Sequence, residues 1–157
     1  MSKGFRTDLN RGRLGEQYIK AYLSKHGWIV RDVTDSDLYR ACDIDIDAYH
    51  AKYGTKAIEV KTDYKATFTN NICLEVLSSK AYGSQGCMVK TKADIIAYCI
   101  AEGEHIRGVY WIETDRLQRL IDRTPRIGLI DMGDHAKGYL MPFRALESLT
   151  WVSYTKA

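Results

Sequence analysis

The alternation of apolar and polar positions divides the first half of the chain into one amphipathic helix followed by strands. Apolar and aromatic residues recur at helical spacing between Asn10, a candidate N-cap, and Lys25, and Gly27 stands where a helix-ending glycine is expected. A β-type segment begins at Trp28, and residues 35–37 form a polar turn. Further strands are predicted at 43–49, 56–62 and 72–77.

The second half of the chain predicts a hairpin, a helix and short strands. Residues 94–100 fit a helix or a buried strand by period alone, but their β-branched content, the turn at 103–104 and the matching run at 109–112 favour a hairpin. Thr114 is a candidate N-cap for a helix at 115–123, and residues 83–86 predict a flexible loop. The remainder predicts strands at 127–131, 138–141 and 151–154 and a helical turn after Pro142.

Length and composition are those of a single globular domain. A chain of 157 residues buries about two-thirds of the surface that it exposes when unfolded, and 45% hydrophobic with 27% charged residues are ordinary values. The element order therefore predicts one α/β domain over residues 1–157, built around one mixed central sheet flanked by helices, with a loose basic arm at 1–10. The net charge of +3 is too small to demand or exclude a polyanionic partner.

The spacing of cysteines, histidines and apolar residues argues against a zinc-binding protein and a membrane protein. The four cysteines (Cys42, Cys73, Cys87 and Cys99) have no paired spacing and the four histidines are equally dispersed, so no zinc site is predicted. No apolar run approaches the roughly 20 residues of a membrane span, and no charged-then-apolar leader opens the chain. We therefore expect a cytoplasmic protein with free thiols and no membrane partner.

Candidate chemistry is concentrated in two neighbouring strands. Side chains alternate between the faces of a strand, so Glu59 and Lys61 share one face. Two charged residues there occupy positions that apolar residues could pack, and this cost favours a chemical role. Asp45 belongs to the acidic run from Asp43 to Asp47, which is joined to the next strand through Gly54. The carboxylates of Asp45 and Glu59 can therefore converge on one divalent cation.

Phosphodiester hydrolysis suits such a site. A hard divalent cation held by carboxylates supplies an activated water, neutralises the phosphate and supports the leaving oxygen. The backbone carbonyl of Val60 adds a candidate metal ligand, and Lys61 is placed to offset charge, to orient the water or, with a lowered pKa, to help deprotonate it. Each pattern alone also fits the solvated face of a strand. Three like charges at two-residue spacing, however, repel one another unless a cation or a basic partner lies among them.

In order and spacing these residues resemble the PD-(D/E)xK nuclease superfamily, which includes Holliday junction resolvases and restriction-type endonucleases. The resemblance spans about residues 11–77 and is carried by Leu14-Gly15-Glu16, Asp43-Ile44-Asp45-Ile46 and Ile58-Glu59-Val60-Lys61. It implies a restriction-endonuclease-like core with Asp45 and Glu59 as ligands of Mg²⁺, or of Mn²⁺ in its place. It also implies that Glu16 contacts a metal-bound water or a second cation, and that Lys61 is the lysine of the motif. The family's proline ahead of the aspartate is missing here.

The resemblance implies a Mg²⁺-dependent endodeoxyribonuclease acting on duplex or branched DNA. A Holliday-junction-type resolvase, normally a homodimer, an RNA-directed nuclease and a non-catalytic nucleic-acid-binding module on the same fold stay open as alternatives. The roles of Asp43, Asp47, Asp63 and Glu75 are not decided by the sequence. Several basic residues near the site are candidates for phosphate contacts, although each alone fits ordinary surface charge: Arg11, Arg13, Lys52, Lys56, Lys65, Lys80, Lys90 and Lys92.

Overall fold

Helices and two β-sheets make up the part of the chain that the computed structural model describes, which is residues 3–33, 35–79, 83–132 and 136–157, with the backbone alone for residues 3–11. The helices are α1 (Lys3–Lys25), α2 (Asp37–Arg40), α3 (Ala66–Thr69), α4 (Cys87–Lys90), α5 (Thr114–Arg123) and α6 (Phe143–Glu147), with a 3-10 turn at Arg126–Gly128. The strands are β1 (Ile29–Asp32), β2 (Ile46–His50), β3 (Gly54–Asp63), β4 (Asn71–Ser79), β5 (Ser84–Gln85), β6 (Ile95–Glu102), β7 (His105–Glu113), β8 (Ile130–Asp131), β9 (Lys137–Pro142) and β10 (Val152–Lys156).

The first sheet has six strands in the order β1-β2-β3-β6-β7-β10. Its pairings are antiparallel except between β3 and β6, which run parallel with Glu59 opposite Ile96 and Lys61 opposite Tyr98. The α/β class and the mixed central sheet flanked by helices are therefore confirmed. The predicted hairpin is also confirmed, because β6 and β7 pair directly across the turn at 103–104.

A second, four-stranded antiparallel sheet has the order β5-β4-β9-β8. The prediction of one sheet is wrong on this point. Ile72, Leu74 and Val76 of β4 form a buried cluster with Ile96 and Ile112 of the first sheet, and α5 and α6 close the same cluster. We call this side of the first sheet its inner face. A second sheet forms because β4 buries one set of alternate side chains against the inner face and pairs with β9 at its edge.

Helix α1 covers the opposite side of the first sheet, which we call the helix face. Ile19 and Leu23 are almost completely buried there, against Ile46 of β2 and Ile58 and Val60 of β3. Ile58 and Val60 face α1. Because successive strand residues point to opposite faces, Glu59 and Lys61 lie on the inner face. None of the helices in the described ranges combines the length and the apolar character that a membrane span requires.

Two predicted boundaries are wrong. Helix α1 begins at Lys3, ahead of the predicted N-cap Asn10, and its backbone includes residues 3–10 of the predicted arm. Asn in a helix interior costs well under 1 kcal/mol relative to the best helix formers, so a candidate cap need not stop a helix. The acidic strand predicted to begin at Asp43 begins at Ile46, because Asp43 adopts a left-handed backbone with φ of 48°.

The hydroxyl of Tyr98 joins the two sheets. Tyr98 is 3% exposed on β6, donates a hydrogen bond to Asp63 Oδ2 (2.6 Å) and accepts one from the backbone N–H of Cys73 on β4 (2.9 Å). Asp63 Oδ1 in turn accepts the backbone N–H groups of Lys65 (2.7 Å) and Ala66 (3.0 Å). Asp63 is thus occupied by the turn that begins α3.

Replacing Tyr98→Phe should destabilise the fold, because it leaves the half-buried amide of Cys73 and a carboxylate oxygen of Asp63 without their shared partner. We expect a loss of about 1–3 kcal/mol in the free energy of unfolding, measured by urea denaturation. The matched control is Tyr49→Phe, since Tyr49 is 49% exposed on β2 and should change little. Equal stability of the two variants would contradict this role of the hydroxyl.

Candidate active site

Asp45 lies where β2 and β3 begin to separate. The paired register of β2 and β3 ends at Ile46 opposite Ile58, and Asp45 is the residue just before it. The backbone N–H of Asp45 donates to the carbonyl of Ile58 (3.0 Å), and its Oδ2 accepts the backbone N–H of Val60 (2.8 Å). The carboxylate therefore takes the place of a backbone partner on β3 and is held at a fixed position beside Glu59.

The carboxyl groups of Asp45 and Glu59 are in hydrogen-bonding contact on the inner face. The side chain of Glu59 is only 8% exposed. Burial, followed by the negative charge of Asp45, raises the pKa of Glu59 to about 8 against the opposing charge of Lys61. Burial also raises the pKa of Asp45, although the N–H of Val60 opposes this change. The predicted convergence of these two carboxyl groups is therefore present.

Lys61 lies beside this pair, with its Nζ 3.6 Å from Glu59 Oε1. Burial favours the neutral amine, but the acidic neighbours Cys87 and Glu59 outweigh it and raise the pKa of Lys61 above its ordinary value. Lys61 is consequently an ammonium ion at neutral pH. Its predicted position next to Glu59 is confirmed, whereas a role as the base that deprotonates water is not supported.

Glu16 reaches the same region from α1. Gly15 allows this, because a Cβ atom at Gly15 would overlap the Thr62 hydroxyl and hold the helix away from β3. Burial and the nearby charge of Asp45 raise the pKa of Glu16, and Lys20 Nζ lies 3.9 Å from Glu16 Oε2. The structure thus brings Asp45, Glu59 and Lys61 together and, of these three, places Glu16 within range of the Asp45 charge only.

The acidic run does not form one acidic face. Asp43 pairs with Lys90 (3.2 Å) and Asp47 pairs with Arg31 (2.5 Å). These partners neutralise the outer two carboxylates, so the repulsion expected of a three-residue ladder is largely removed. Asp45 differs from both because its carboxyl group contacts another carboxyl group. Lys90 was a candidate for a phosphate contact. In the structure its partner is the carboxylate of Asp43.

The donor set fits a hard divalent cation. In the described part of the chain no group of three His, Cys, Asp or Glu side chains is arranged to hold one metal ion, so Glu16 does not join Asp45 and Glu59 as a direct ligand. Mg²⁺ is usually held by one or two carboxylates and keeps several waters. Buried Glu59 and half-buried Asp45, with their carboxyl groups in contact, match that requirement, because a cation would replace the proton that Glu59 otherwise retains.

A cleft of about 480 Å³ opens beside Lys61 between the two sheets. Glu75 of β4 and Cys87 of α4 line it and are close enough to Lys61 to raise its pKa. Burial raises the pKa of the Cys87 thiol to about 11, and the positive charge of Lys61 opposes this rise. Sequence reasoning left Glu75 undecided and missed Cys87, which follows a glycine-rich loop and has no periodic pattern that would reveal its direction.

The candidate phosphate-binding residues fall in different places. Lys65 lines the cleft beside Lys61, whereas Lys56 lies on the helix face. Lys52 lies over the ring of Tyr53, with its Nζ 5.2 Å from the ring centroid. Lys92 and Arg13 are exposed, and Lys80 and the side chain of Arg11 lie outside the described residues.

Comparison of the chain with protein-family models, with curated proteins and with solved structures gave no match. The resemblance to PD-(D/E)xK nucleases therefore stays a hypothesis carried by the residues of this chain.

The pKa of Glu59 predicts an unusual pH dependence of stability in the metal-free protein. Its folded-state pKa of about 8 exceeds the ordinary value of 4.5, so the folded state binds more protons than the unfolded state between these values. The free energy of unfolding should fall as pH rises through that window. Glu59→Gln should flatten this part of the curve and be more stable than the wild type near pH 8, by roughly 1–3 kcal/mol.

Urea denaturation in EDTA across the pH range measures this effect. Glu104→Gln is the control, since Glu104 is exposed in the turn between β6 and β7 and should leave the pH dependence unchanged. A wild-type curve with the same slope as that of Glu59→Gln would refute the buried, proton-retaining state of Glu59.

Proposed function

We propose that the chain is a Mg²⁺-dependent endodeoxyribonuclease with a restriction-endonuclease-like core, in which Asp45, Glu59 and Lys61 form the catalytic site. The observation that carries this proposal is the contact between the Asp45 and Glu59 carboxyl groups, with the ammonium group of Lys61 3.6 Å from Glu59. Paired carboxylates beside a cationic side chain are what metal-assisted phosphodiester hydrolysis requires.

Asp45, Glu59 and the backbone carbonyl of Val60 would hold the cation. In a strand the N–H and C=O groups of one residue point to the same side, so the Val60 carbonyl points to the side from which Asp45 bonds the Val60 N–H. Bound there, the cation supplies charge neutralisation at the phosphate and an activated water. The Val60 amide fixes one oxygen of Asp45 and leaves the other for ligation.

Lys61 contributes a positive charge to the site. As a permanent ammonium ion beside Glu59, it donates hydrogen bonds to a phosphate oxygen or to the attacking water and stabilises the negative charge that develops in the transition state. The cleft beside it gives a phosphate access to this group, and Lys65 adds a second positive charge at the same cleft. Glu16, at the edge of the site near Asp45, accepts a hydrogen bond from water and helps to orient it.

The cost of the site favours catalysis over a non-catalytic binding module. Two carboxyl groups on an inner strand face, one of them 8% exposed, occupy positions where apolar residues would stabilise the sheet. A module that only bound nucleic acid would gain nothing from negative charge near a phosphate. Duplex or branched DNA as substrate, a homodimer and a cytoplasmic location belong to this proposal.

The proposal predicts the loss of Mg²⁺-dependent cleavage on removal of any of the three groups. Asp45→Asn, Glu59→Gln and Lys61→Met should each lower the cleavage rate by about 100-fold or more, because each removes a ligand or a charge from the transition state. The assay uses linear duplex, four-way junction, single-stranded and RNA substrates, with Mg²⁺, Mn²⁺ or EDTA. The control is Asp47→Asn, because Asp47 pairs with Arg31 away from the carboxyl contact.

Cleavage that survives both Asp45→Ala and Lys61→Ala would overturn the assigned site. Cleavage of RNA alone would replace the DNA substrate with RNA and keep the same groups. Nucleic-acid binding with no cleavage under any metal condition would favour the non-catalytic module.

Metal binding should also be visible without substrate. Mg²⁺ or Mn²⁺ should raise the melting temperature of the wild type, because the cation binds the folded carboxyl pair and not the unfolded chain. At 100 times its dissociation constant the cation stabilises by about 2.7 kcal/mol. Asp45→Asn should abolish the shift and Asp43→Asn should keep most of it, since Asp43 pairs with Lys90. A shift of equal size in both variants would place the metal elsewhere.

A further inference from the structure

The helix face of the first sheet carries a second concave site, which we call the aromatic groove. It has a volume of about 600 Å³ and lies between the second half of α1 and strands β3, β6, β7 and β10. The side chains that define it are Tyr22, Trp28, Tyr53, Lys56, Trp111 and Thr155. Neither the carboxyl pair nor Lys61 lines it, so it is separate from the proposed catalytic site.

Four aromatic rings dominate the groove. The ring centroids of Tyr22 and Trp111 lie 5.4 Å apart at an interplanar angle of 37°, and those of Trp28 and Tyr53 lie 6.1 Å apart at 18°. Tyr53 is 57% exposed, although a ring of this size normally gains stability from burial. Rings arranged around an open space provide faces on which another planar group can stack.

The charges at the groove are positive. Lys56 lines it directly, and Lys52 lies over Tyr53 at the rim. The hydroxyl oxygen of Thr155 accepts the indole N–H of Trp111 (3.1 Å), which leaves the Thr155 proton free to be donated. The groove thus combines stacking surfaces, one hydroxyl donor and ammonium groups. A planar base with an attached phosphate matches all three features, whereas an acyl chain would use neither the hydroxyl nor the lysines.

The groove and the carboxyl pair occupy opposite faces of one strand. Lys56 and Glu59 are three residues apart on β3, or about 10 Å along the strand, and alternation turns them to different sides of the sheet. A ligand in the groove therefore leaves the catalytic site open. We propose that the aromatic groove binds an unpaired nucleobase by stacking, with Lys56 and Lys52 contacting the phosphate attached to it.

Tryptophan fluorescence tests this site without any nuclease activity. Trp28 and Trp111 line the groove, whereas Trp151 packs against the core between the sheets. In EDTA, a short single-stranded oligothymidylate or a mononucleotide should quench the emission, and the Trp151→Phe variant should keep this response. The same oligonucleotide annealed to its complement should bind more weakly, because its bases are already stacked. Tighter binding of the oligonucleotide than of the mononucleotide identifies a polynucleotide as the source of the base, and the reverse identifies a free nucleotide.

Two variants with matched controls give the decisive comparison. Tyr53→Ala should weaken binding about fivefold or more, whereas Phe68→Ala, which removes an 80% exposed ring outside the groove, should not change it. Lys56→Gln should weaken binding and reduce its salt dependence by about one phosphate contact, whereas Lys137→Gln, on β9 of the second sheet, should do neither.

Three outcomes would overturn the proposal: no quenching by either ligand, equal binding of the duplex and the single strand, or unchanged binding in Tyr53→Ala. All are measured in EDTA, where no metal-dependent cleavage occurs. Failure here consequently leaves the proposed nuclease function untouched, and failure of the cleavage assay leaves this proposal standing.

Discussion

The contact between the carboxyl groups of half-buried Asp45 and buried Glu59 is the constraint on which the site depends. Placing Asp45 against Glu59 costs free energy, because both groups lose water and, when ionised, repel each other. The structure offsets this cost with the Val60 amide, which bonds Asp45, and with the ammonium group of Lys61 beside Glu59. All of these groups come from β3 or from the residue that faces it, so the strand itself sets their geometry.

The separation of β2 from β3 is itself held in place from outside. The carbonyl of Asp43 accepts the hydroxyl of Thr91 (2.7 Å), and the carbonyl of Cys42 accepts the backbone N–H of Lys92 (2.8 Å). The segment ahead of β2 is therefore anchored to the segment ahead of β6. This anchoring keeps the chain near Asp45 away from regular pairing and leaves its carboxyl group free to turn toward Glu59.

Sequence reasoning found the site because strand alternation is a local property. The placement of Glu59 and Lys61 on one face follows from two-residue periodicity alone. The turn at Gly54 pairs β2 with β3, which brings Asp45 near Glu59. The second sheet and the position of Cys87 could not be found in this way, because they depend on which distant strands pair. The left-handed backbone of Asp43 was also missed, since an Asp in an alternating run predicts a continuous strand.

The raised pKa values of Glu59 and Lys61 also bear on how the site handles protons. Without a metal ion, Glu59 largely keeps its proton at neutral pH while Lys61 stays charged, which limits the net charge buried on the inner face. In the proposed function, a divalent cation held by Asp45 and Glu59 would displace that proton, so affinity for the cation should rise with pH toward the pKa of Glu59. A rise of activity with pH in this range would then reflect the loading of the carboxyl pair. Such a rise of activity would not require Lys61 to act as a base. This agrees with a role in which the Lys61 ammonium group acts through its charge.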